Sequence, residues 1–376
     1  MNARYFKSLS SVLLILALAL PALAIAPFAG AQEGESPEYW PSEDWRTSTP
    51  EEQGMDSAQL LAALDYGQQY AIDSITVIRH GYVVLDAAFY PYTRDMKHQI
   101  WSATKSFTAT LVGIAMDQGL IAGLDQPVLE LFPDRTVANV DAHKQAMTVR
   151  NLLTMSSGID CTPNISIEAY DDMLQAPDAV QYILDLRAVF PPGLRFDYCD
   201  LNSHVLTGAV TAAAGMPLLD YADRYLFGPL GITDYVWQTD QNGVPFGYDS
   251  LYLTPHDMAR LGYLYLHGGE WAGEPIVSSA WVDTVTCADP SQCPFYELDG
   301  NLGYGYHWWL WPHVFSAHGL AGQYIAVAPE YDMVVVITSS GNKLDQIFGS
   351  IPLVLINGQF IGAARSEEPL PANPEA

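Results

Sequence analysis

Ser102 and Lys105 stand three residues apart in the run Trp101-Ser-Ala-Thr-Lys-Ser-Phe107, where a long apolar-patterned segment begins. Positions i and i+3 of a helix share a face, so this amine can reach this hydroxyl by a hydrogen bond. A hydroxyl is a weak nucleophile until a neighbouring base takes its proton, and an amine so placed is such a base. The chemistry would be acyl transfer: attack on an ester or amide carbonyl, an acyl group held on Ser102, then release by water. Ser-x-x-Lys also arises by chance on solvated helix faces, and the rest of the chain must give it meaning.

The elements that would hold these groups can be read from hydrophobic period. From Thr104 to Gln118, Phe107, Leu111, Ile114 and Ala115 form the apolar stripe of a helix that Gly119 closes. Ser102 at its head lies where the helix dipole favours a developing negative charge. Upstream, a helix is expected over Ser57–Tyr70, after Met55-Asp56, and a hairpin from the β-rich runs Ser74–His80 and Tyr82–Tyr90 joined at His80-Gly81. Residues 120–290 read as helices and Pro/Gly loops. Beyond Gly303 come three β-type runs, Val314–His318, Gln323–Ala328 and Met333–Thr338, then a helix over about Lys343–Ile356. The expected fold is α/β (α+β): an antiparallel sheet flanked by helices, built from N- and C-terminal parts, with an inserted helical subdomain.

The first 31 residues have Arg4 and Lys7, the apolar run Val12–Leu20, and small residues ending Ala29-Gly30-Ala31, the layout of a cleavable secretory signal. The apolar core is too short for the roughly 20 residues a spanning helix needs, so no stable membrane anchor is expected after cleavage near Gln32. Losing Arg4 and Lys7, two positive charges, takes the net charge from -27 to -29. That balance argues against nucleic acid and anionic membrane as partners and fits a solvated surface. An exported protein, periplasmic or secreted, is expected. Residues 32–54, acidic and Pro-rich, read as an extended leader, 55–365 as one catalytic domain, and 366–376 as a flexible tail; both ends are expected to drape over the surface or be disordered. Of four cysteines, Cys287 and Cys293 bracket a five-residue loop that a disulfide could close. Cys161 with Cys199 is then the remaining pairing, and buried free thiols are the alternative.

Several stretches, in order, resemble the serine β-lactamase and penicillin-binding protein-like family, in its branch of class C-like esterases, D,D-peptidases and nylon-oligomer (6-aminohexanoate-dimer) hydrolases. They are residues 101–107, Thr148-Val-Arg-Asn-Leu-Leu-Thr-Met-Ser-Ser-Gly158, Pro192-Gly-Leu-Arg-Phe-Asp-Tyr198, Phe227-Gly-Pro-Leu-Gly-Ile232, Leu253-Thr-Pro-His-Asp-Met-Ala-Arg-Leu261, Gly303-Tyr-Gly-Tyr306 and His318-Gly-Leu-Ala-Gly-Gln-Tyr-Ile325. The resemblance spans roughly 55–355 and implies a β-lactamase/transpeptidase-like fold. The family's second motif, Tyr-x-Asn, resembles Tyr198-Cys199-Asp200. Tyr198 keeps the phenol, while Asp200 either adds negative charge toward substrate or holds Lys105 charged. The third motif, usually Lys-Thr-Gly or His-Thr-Gly, is here Ala317-His318-Gly319 or, shifted by one, His318-Gly319-Leu320. Either register lacks the pair that binds a substrate carboxylate. Gly319 and Gly322 let the strand backbone approach a ligand closely. The resemblance implies an oxyanion hole from the backbone N–H groups of Ser102 and Leu320, with Ala321 or Gln323 as alternatives. His318 binds substrate or caps a strand.

Rival constellations are weaker. No Gly-x-Ser-x-Gly elbow appears, which argues against an α/β-hydrolase. His256, His267, His307 and His313 show no zinc-type spacing, so no metal or cofactor is expected. A class A lactamase is disfavoured because neither Lys-Thr-Gly nor its Glu-bearing loop is found. Asn164-Ile165-Ser166 is a formal glycosylation sequon. The aromatic run Tyr304–Trp311 could wall an acyl pocket, pack the core, or do both with alternate residues. The expectation is an exported serine hydrolase acting on a small-molecule ester or amide through a Ser102 acyl-enzyme, with Lys105 or Tyr198 as the base. A D,D-peptidase or β-lactamase and an idle muropeptide- or partner-binding protein are the alternatives; oligomeric state is open.

Overall fold

The computed structural model describes residues 39–161, 172–299, 302–340 and 354–374. The signal segment, the sequon at Asn164 and most of the helix expected from Lys343 lie outside the described residues. The strands form a nine-stranded sheet in the spatial order Arg46–Thr47, Tyr82–Ala88, Ile72–Arg79, Met333–Ser339, Gln323–Ala328, Val314–Gly319, Trp309–Trp311, Leu302–Tyr304, Phe295–Asp299. Every neighbouring pair is antiparallel except Arg46–Thr47 beside Tyr82–Ala88. N- and C-terminal strands thus meet at Ile72–Arg79 against Met333–Ser339.

Alternation along the central strands explains why helices cover both faces. Met333, Val335 and Ile337 join one apolar cluster with Tyr324, Ala326, Leu60 and Phe360. Val334 and Val336 join the other with Ile325, Leu261 and the helical subdomain. A strand buried on both sides reads as an unbroken apolar run, which Met333-Val-Val-Val-Ile337 is. Ser57–Gln68, capped by the Asp56 carboxylate on the N–H groups of Ala58 and Gln59, covers the first face with Leu355–Ala363. Pro255–Leu266 covers the second, capped by Thr254.

One expectation is corrected. The helix Thr104–Asp117 is buried from Thr104 through Ala115, not along one stripe. It lies between the sheet and the helix Asp200–Ala214, so Thr108 and Thr110 face protein and hydrogen-bond the Gly247 carbonyl and the Tyr265 hydroxyl. The described parts of both ends are pinned. Trp45 is buried, Arg260 donates to the Pro41 carbonyl, and Leu370 N–H donates to the Glu51 carbonyl at 2.8 Å. Composition marked these ends as polar, but backbone carbonyls that accept from distant partners have no compositional signature.

Candidate active site

Ser102 lies in a single 3-10 turn, Trp101–Ala103, two residues ahead of the helix rather than inside it. Trp101 adopts a left-handed φ of 49°. That conformation costs a non-glycine residue on the order of 1 kcal/mol and is held only when surroundings over-determine it. Here the surroundings are the short strand His98–Gln99, paired with Leu251–Leu253, and the bond from Ile100 N–H to the Leu251 carbonyl.

Lys105 projects from the first helical turn and is 1% exposed. Its Nζ lies 2.9 Å from Ser102 Oγ, 3.0 Å from the Tyr248 carbonyl and 2.6 Å from Asp200 Oδ1. An ammonium has three protons; the Ser102 and Tyr248 oxygens accept two of them, and Asp200 faces it as an ion pair. The Tyr198 ring lies 4.9 Å from the same nitrogen. Burial alone would depress the amine, but the Asp200 carboxylate and Tyr198, through charge and hydrogen bonds, outweigh it and hold Lys105 above its usual value. Asp249 is half-buried nearby, and burial pushes its carboxyl up despite the Ser250 hydroxyl and the Lys105 charge.

The second motif is anchored from behind. Cys199, between Tyr198 and Asp200, is disulfide-bonded to Cys161, and Cys287 is bonded to Cys293. Asp197 N–H donates to the Met155 carbonyl at 2.7 Å, and Cys199 N–H to Met155 Sδ at 3.4 Å. Asp200 opens the helix Asp200–Ala214, so its carboxylate also sits at that helix's positive end. Tyr198 stacks on Trp309 at 5.8 Å and meets Tyr304 edge-on at 6.1 Å. Much of the aromatic run packs the core: Tyr304, Tyr306 and Trp308 are buried, while Trp309 is half-buried beside Tyr198.

On the opposite side the strand Val314–Gly319 comes up against the Ser102 turn. A Cβ on Gly319 would fall 2.1 Å from the Ile100 carbonyl oxygen and 3.2 Å from Ala103 N, so only glycine fits. This contact fixes which glycine faces Ser102 and puts Leu320 next in the chain, at the start of a turn through Ala321 (φ 64°) and Gly322 (φ 96°). His318 stacks on Tyr324 at 4.3 Å. Burial lowers its imidazole to about 4, so it is uncharged near neutral pH.

Sequence reasoning brought Ser102, Lys105, Tyr198 and Asp200 together, and the structure places all four in contact range. It missed the Tyr248 carbonyl, which accepts from Lys105 but carries no residue-type signal. It also missed Asp249 and the brace His307, whose Nδ1 donates to the Leu153 carbonyl at 2.8 Å and whose Nε2 meets Ser203 Oγ at 2.9 Å. Burial, with the Lys105 charge, lowers His307 to about 3 and keeps it neutral behind the site. Its own carbonyl accepts from Ser106 at 2.7 Å, tying this brace to the Ser102 helix.

A sequence model of the family described as Beta-lactamase matches residues 52–352. The 6-aminohexanoate-dimer hydrolase of Paenarthrobacter ureafaciens is 26% identical over 294 residues, which cover 73% of this chain and 74% of that one. Among solved structures, a family VIII carboxylesterase aligns with a TM-score of 0.67 at 15% identity, over 84% of this chain and 98% of the other. The octameric penicillin-binding protein homologue from Pyrococcus abyssi aligns with a TM-score of 0.62 at 21% identity, over 84% and 79% of the two chains. At those identities the structural matches carry the fold alone.

Proposed function

The chain belongs to the beta-lactamase family of serine hydrolases, and from that premise we propose that it cleaves a carboxylic ester or small amide through an acyl group carried on Ser102. The observation that carries the reading is Lys105 Nζ at 2.9 Å from Ser102 Oγ in a buried setting. Two of the other partners of Lys105, the Tyr248 carbonyl and Asp200, can only accept. When the amine loses one proton it keeps two donors for these acceptors, and its lone pair turns to Ser102. It then takes the hydroxyl proton as Oγ attacks, and becomes again the ammonium that Asp200 and the carbonyl already satisfy. Tyr198, whose ring lies 4.9 Å from Lys105 Nζ, is the group we assign to pass the proton to the leaving group.

The backbone N–H groups of Ser102 and Leu320 receive the oxyanion; losing one such donor typically costs ~10²–10³ in rate. Ala317, His318 and Gly319 line that side with no cation above about pH 4, so nothing on this strand pairs with a substrate carboxylate. This favours esters and short amides over penicillins. The likeness to a 6-aminohexanoate-dimer hydrolase supports the amide arm. Export through the N-terminal segment is part of the same reading, supported by the two disulfides. N-terminal sequencing of protein recovered outside the cytoplasm should begin near Gln32.

Purified protein and Ser102→Ala are offered p-nitrophenyl esters of short acids and a chromogenic cephalosporin. Ester turnover by the parent alone, with an acyl-sized mass increase lost in Ser102→Ala, is expected. No turnover and no adduct in the parent would sink the hydrolytic reading.

A further inference from the structure

We propose that Gln323 is a positioning residue for the oxyanion-binding turn: its buried amide ties the Leu320 carbonyl to the strand residue Ser339 so that the Leu320 N–H faces Ser102. The inference rests on the proposed role of that N–H. Gln323 is 2% exposed, and every hydrogen-bonding atom of its amide is engaged. Its Nε2 donates to the Leu320 carbonyl at 3.4 Å and to the Ser339 carbonyl, while its Oε1 accepts from Ser339 N–H at 3.4 Å. Ser339 is in turn fixed to the Ala71 carbonyl through its hydroxyl at 2.7 Å.

The geometry of a peptide plane gives this tie its consequence. The Leu320 N–H and the Gly319 carbonyl share one plane and point oppositely along it. Gly322 N–H donates to that carbonyl at 3.3 Å, which sets the plane and sends the Leu320 N–H away from Gly322. The next plane, containing the Leu320 carbonyl, is set by Gln323. Between them they leave Leu320 little rotation, although its side chain is 41% exposed and gives no packing restraint. The turn needs such a restraint, because Ala321 at φ 64° and Gly322 at φ 96° lie in a region that few residues hold unaided. An apolar side chain of equal size could fill the space. It would leave the Leu320 and Ser339 carbonyls without their donor and free the turn to relax.

Gln323→Met keeps the volume and removes all three bonds; Gln323→Glu keeps the shape and replaces the donor with a carboxyl. Steady-state kinetics on p-nitrophenyl butyrate are combined with infrared spectra of the trapped acyl-enzyme, whose carbonyl stretch reports the hydrogen bonds it receives. For Gln323→Met, kcat should fall about 10–100-fold, the scale of a misplaced oxyanion donor. KM should stay within about twofold, and the acyl carbonyl band should move to higher wavenumber. Gln323→Glu should regain activity relative to the parent as pH falls toward the carboxyl range near about 4.3, where the protonated acid again donates. If Gln323→Met does not fold, that pH-dependent ratio decides alone. An unchanged kcat, or losses that follow melting temperature while the carbonyl band stays put, would overturn the inference. If Ser102→Ala keeps its turnover, the hydrolytic reading and this inference fall together. If Ser102 forms the adduct and the Gln323 variants leave the band unmoved, only this inference fails.

Discussion

Lys105–Asp200 and His98–Asp73 are both acid–base pairs set in the protein interior, only a few residues apart at their cationic ends, yet they settle into opposite states. Lys105 is held above its usual value by Asp200 at 2.6 Å. His98 faces Asp73 at 3.6 Å; burial lowers the imidazole to about 4 and raises the carboxyl to about 6 against its bonds to Ser340. The ratio of 3.6 to 2.6 Å changes the Coulomb attraction by only about 1.4-fold, too little to invert the outcome. The surroundings differ more. Lys105 has the Ser102 hydroxyl and the Tyr248 carbonyl for its remaining protons, whereas His98 has a Thr338 hydroxyl at 3.4 Å and the Tyr92 ring at 5.4 Å. A buried ammonium keeps its charge beside a carboxylate and two further acceptors; with fewer, the imidazole is uncharged above about pH 4 and Asp73 holds its proton up to about pH 6.

The widest separation between the pairs should appear on removing one partner of each. Lys105→Met is expected to lower kcat by about 10²–10⁴-fold, the range of a lost general base, while Asp73→Asn keeps kcat at pH 7 within about threefold. Equal losses would mean that the comparison confuses structure with chemistry. Next in size is the tether of the second motif. The Cys161–Cys199 bond spans 38 residues, for which loop-closure entropy gives about 4 kcal/mol. Cys161→Ala with Cys199→Ala should lose that stability in urea unfolding and weaken ester turnover, since Tyr198 and Asp200 flank the bond. Parental stability would show that the bonds to Met155 suffice.

How far the sequence discloses this contrast depends on the range of each interaction. Ser102 with Lys105 is legible because helical spacing alone brings them together, and the hairpin at His80-Gly81 because its turn is local. Tyr198-Cys199-Asp200 becomes legible only through its resemblance to a motif, since nothing nearby says which helix it will face. The Tyr248 carbonyl is silent, as any residue would provide one. Asp73 and His98 are invisible as a pair because one lies in a strand of the hairpin and the other in the two-residue strand before the Ser102 turn. The pinned ends are silent for the same reason: Trp45 among Pro and acidic residues reads as solvated until Tyr263 is placed against it at 5.4 Å.

Between about pH 4 and 6 His98 and Asp73 are both largely uncharged, and this gives stability a pH dependence of definite sign. His98 is depressed on folding, so its contribution is present above the unfolded value near 6.5 and lost as pH falls toward about 4. Asp73 is raised, so its contribution is present below the unfolded value near 3.8 and lost as pH rises toward about 6. The two slopes oppose each other over nearly the same window and cancel in the parent. Asp73→Asn removes one and exposes the other. Its unfolding free energy should drop by about 3 kcal/mol from pH 6.5 to 4, relative to the parent, the size of the lost Asp73 contribution: 2.2 units, from 3.8 to about 6, at about 1.4 kcal/mol each. A parallel pH dependence in the two proteins would break the claim that this pair is uncharged.

The smallest change, Asp200→Asn, separates the two candidate bases. With the carboxylate gone, burial is less fully opposed and the Lys105 amine should fall toward its usual value. If Lys105 must be neutral to accept the Ser102 proton, kcat/KM rises with pH and that rising limb moves to lower pH in Asp200→Asn. At pH 7 each unit of movement enlarges the competent fraction up to about tenfold, against a smaller loss because the weaker base takes the proton less readily. If Tyr198 is the acceptor and Lys105 must stay charged, the limb that moves is a falling one on the alkaline side. The direction of the displaced limb, read from kcat/KM between pH 6 and 11, therefore assigns the base. A profile that does not move would mean that the Tyr248 carbonyl and the Ser102 hydroxyl hold the ammonium without the carboxylate, and the contrast with His98 would then rest on acceptor number alone.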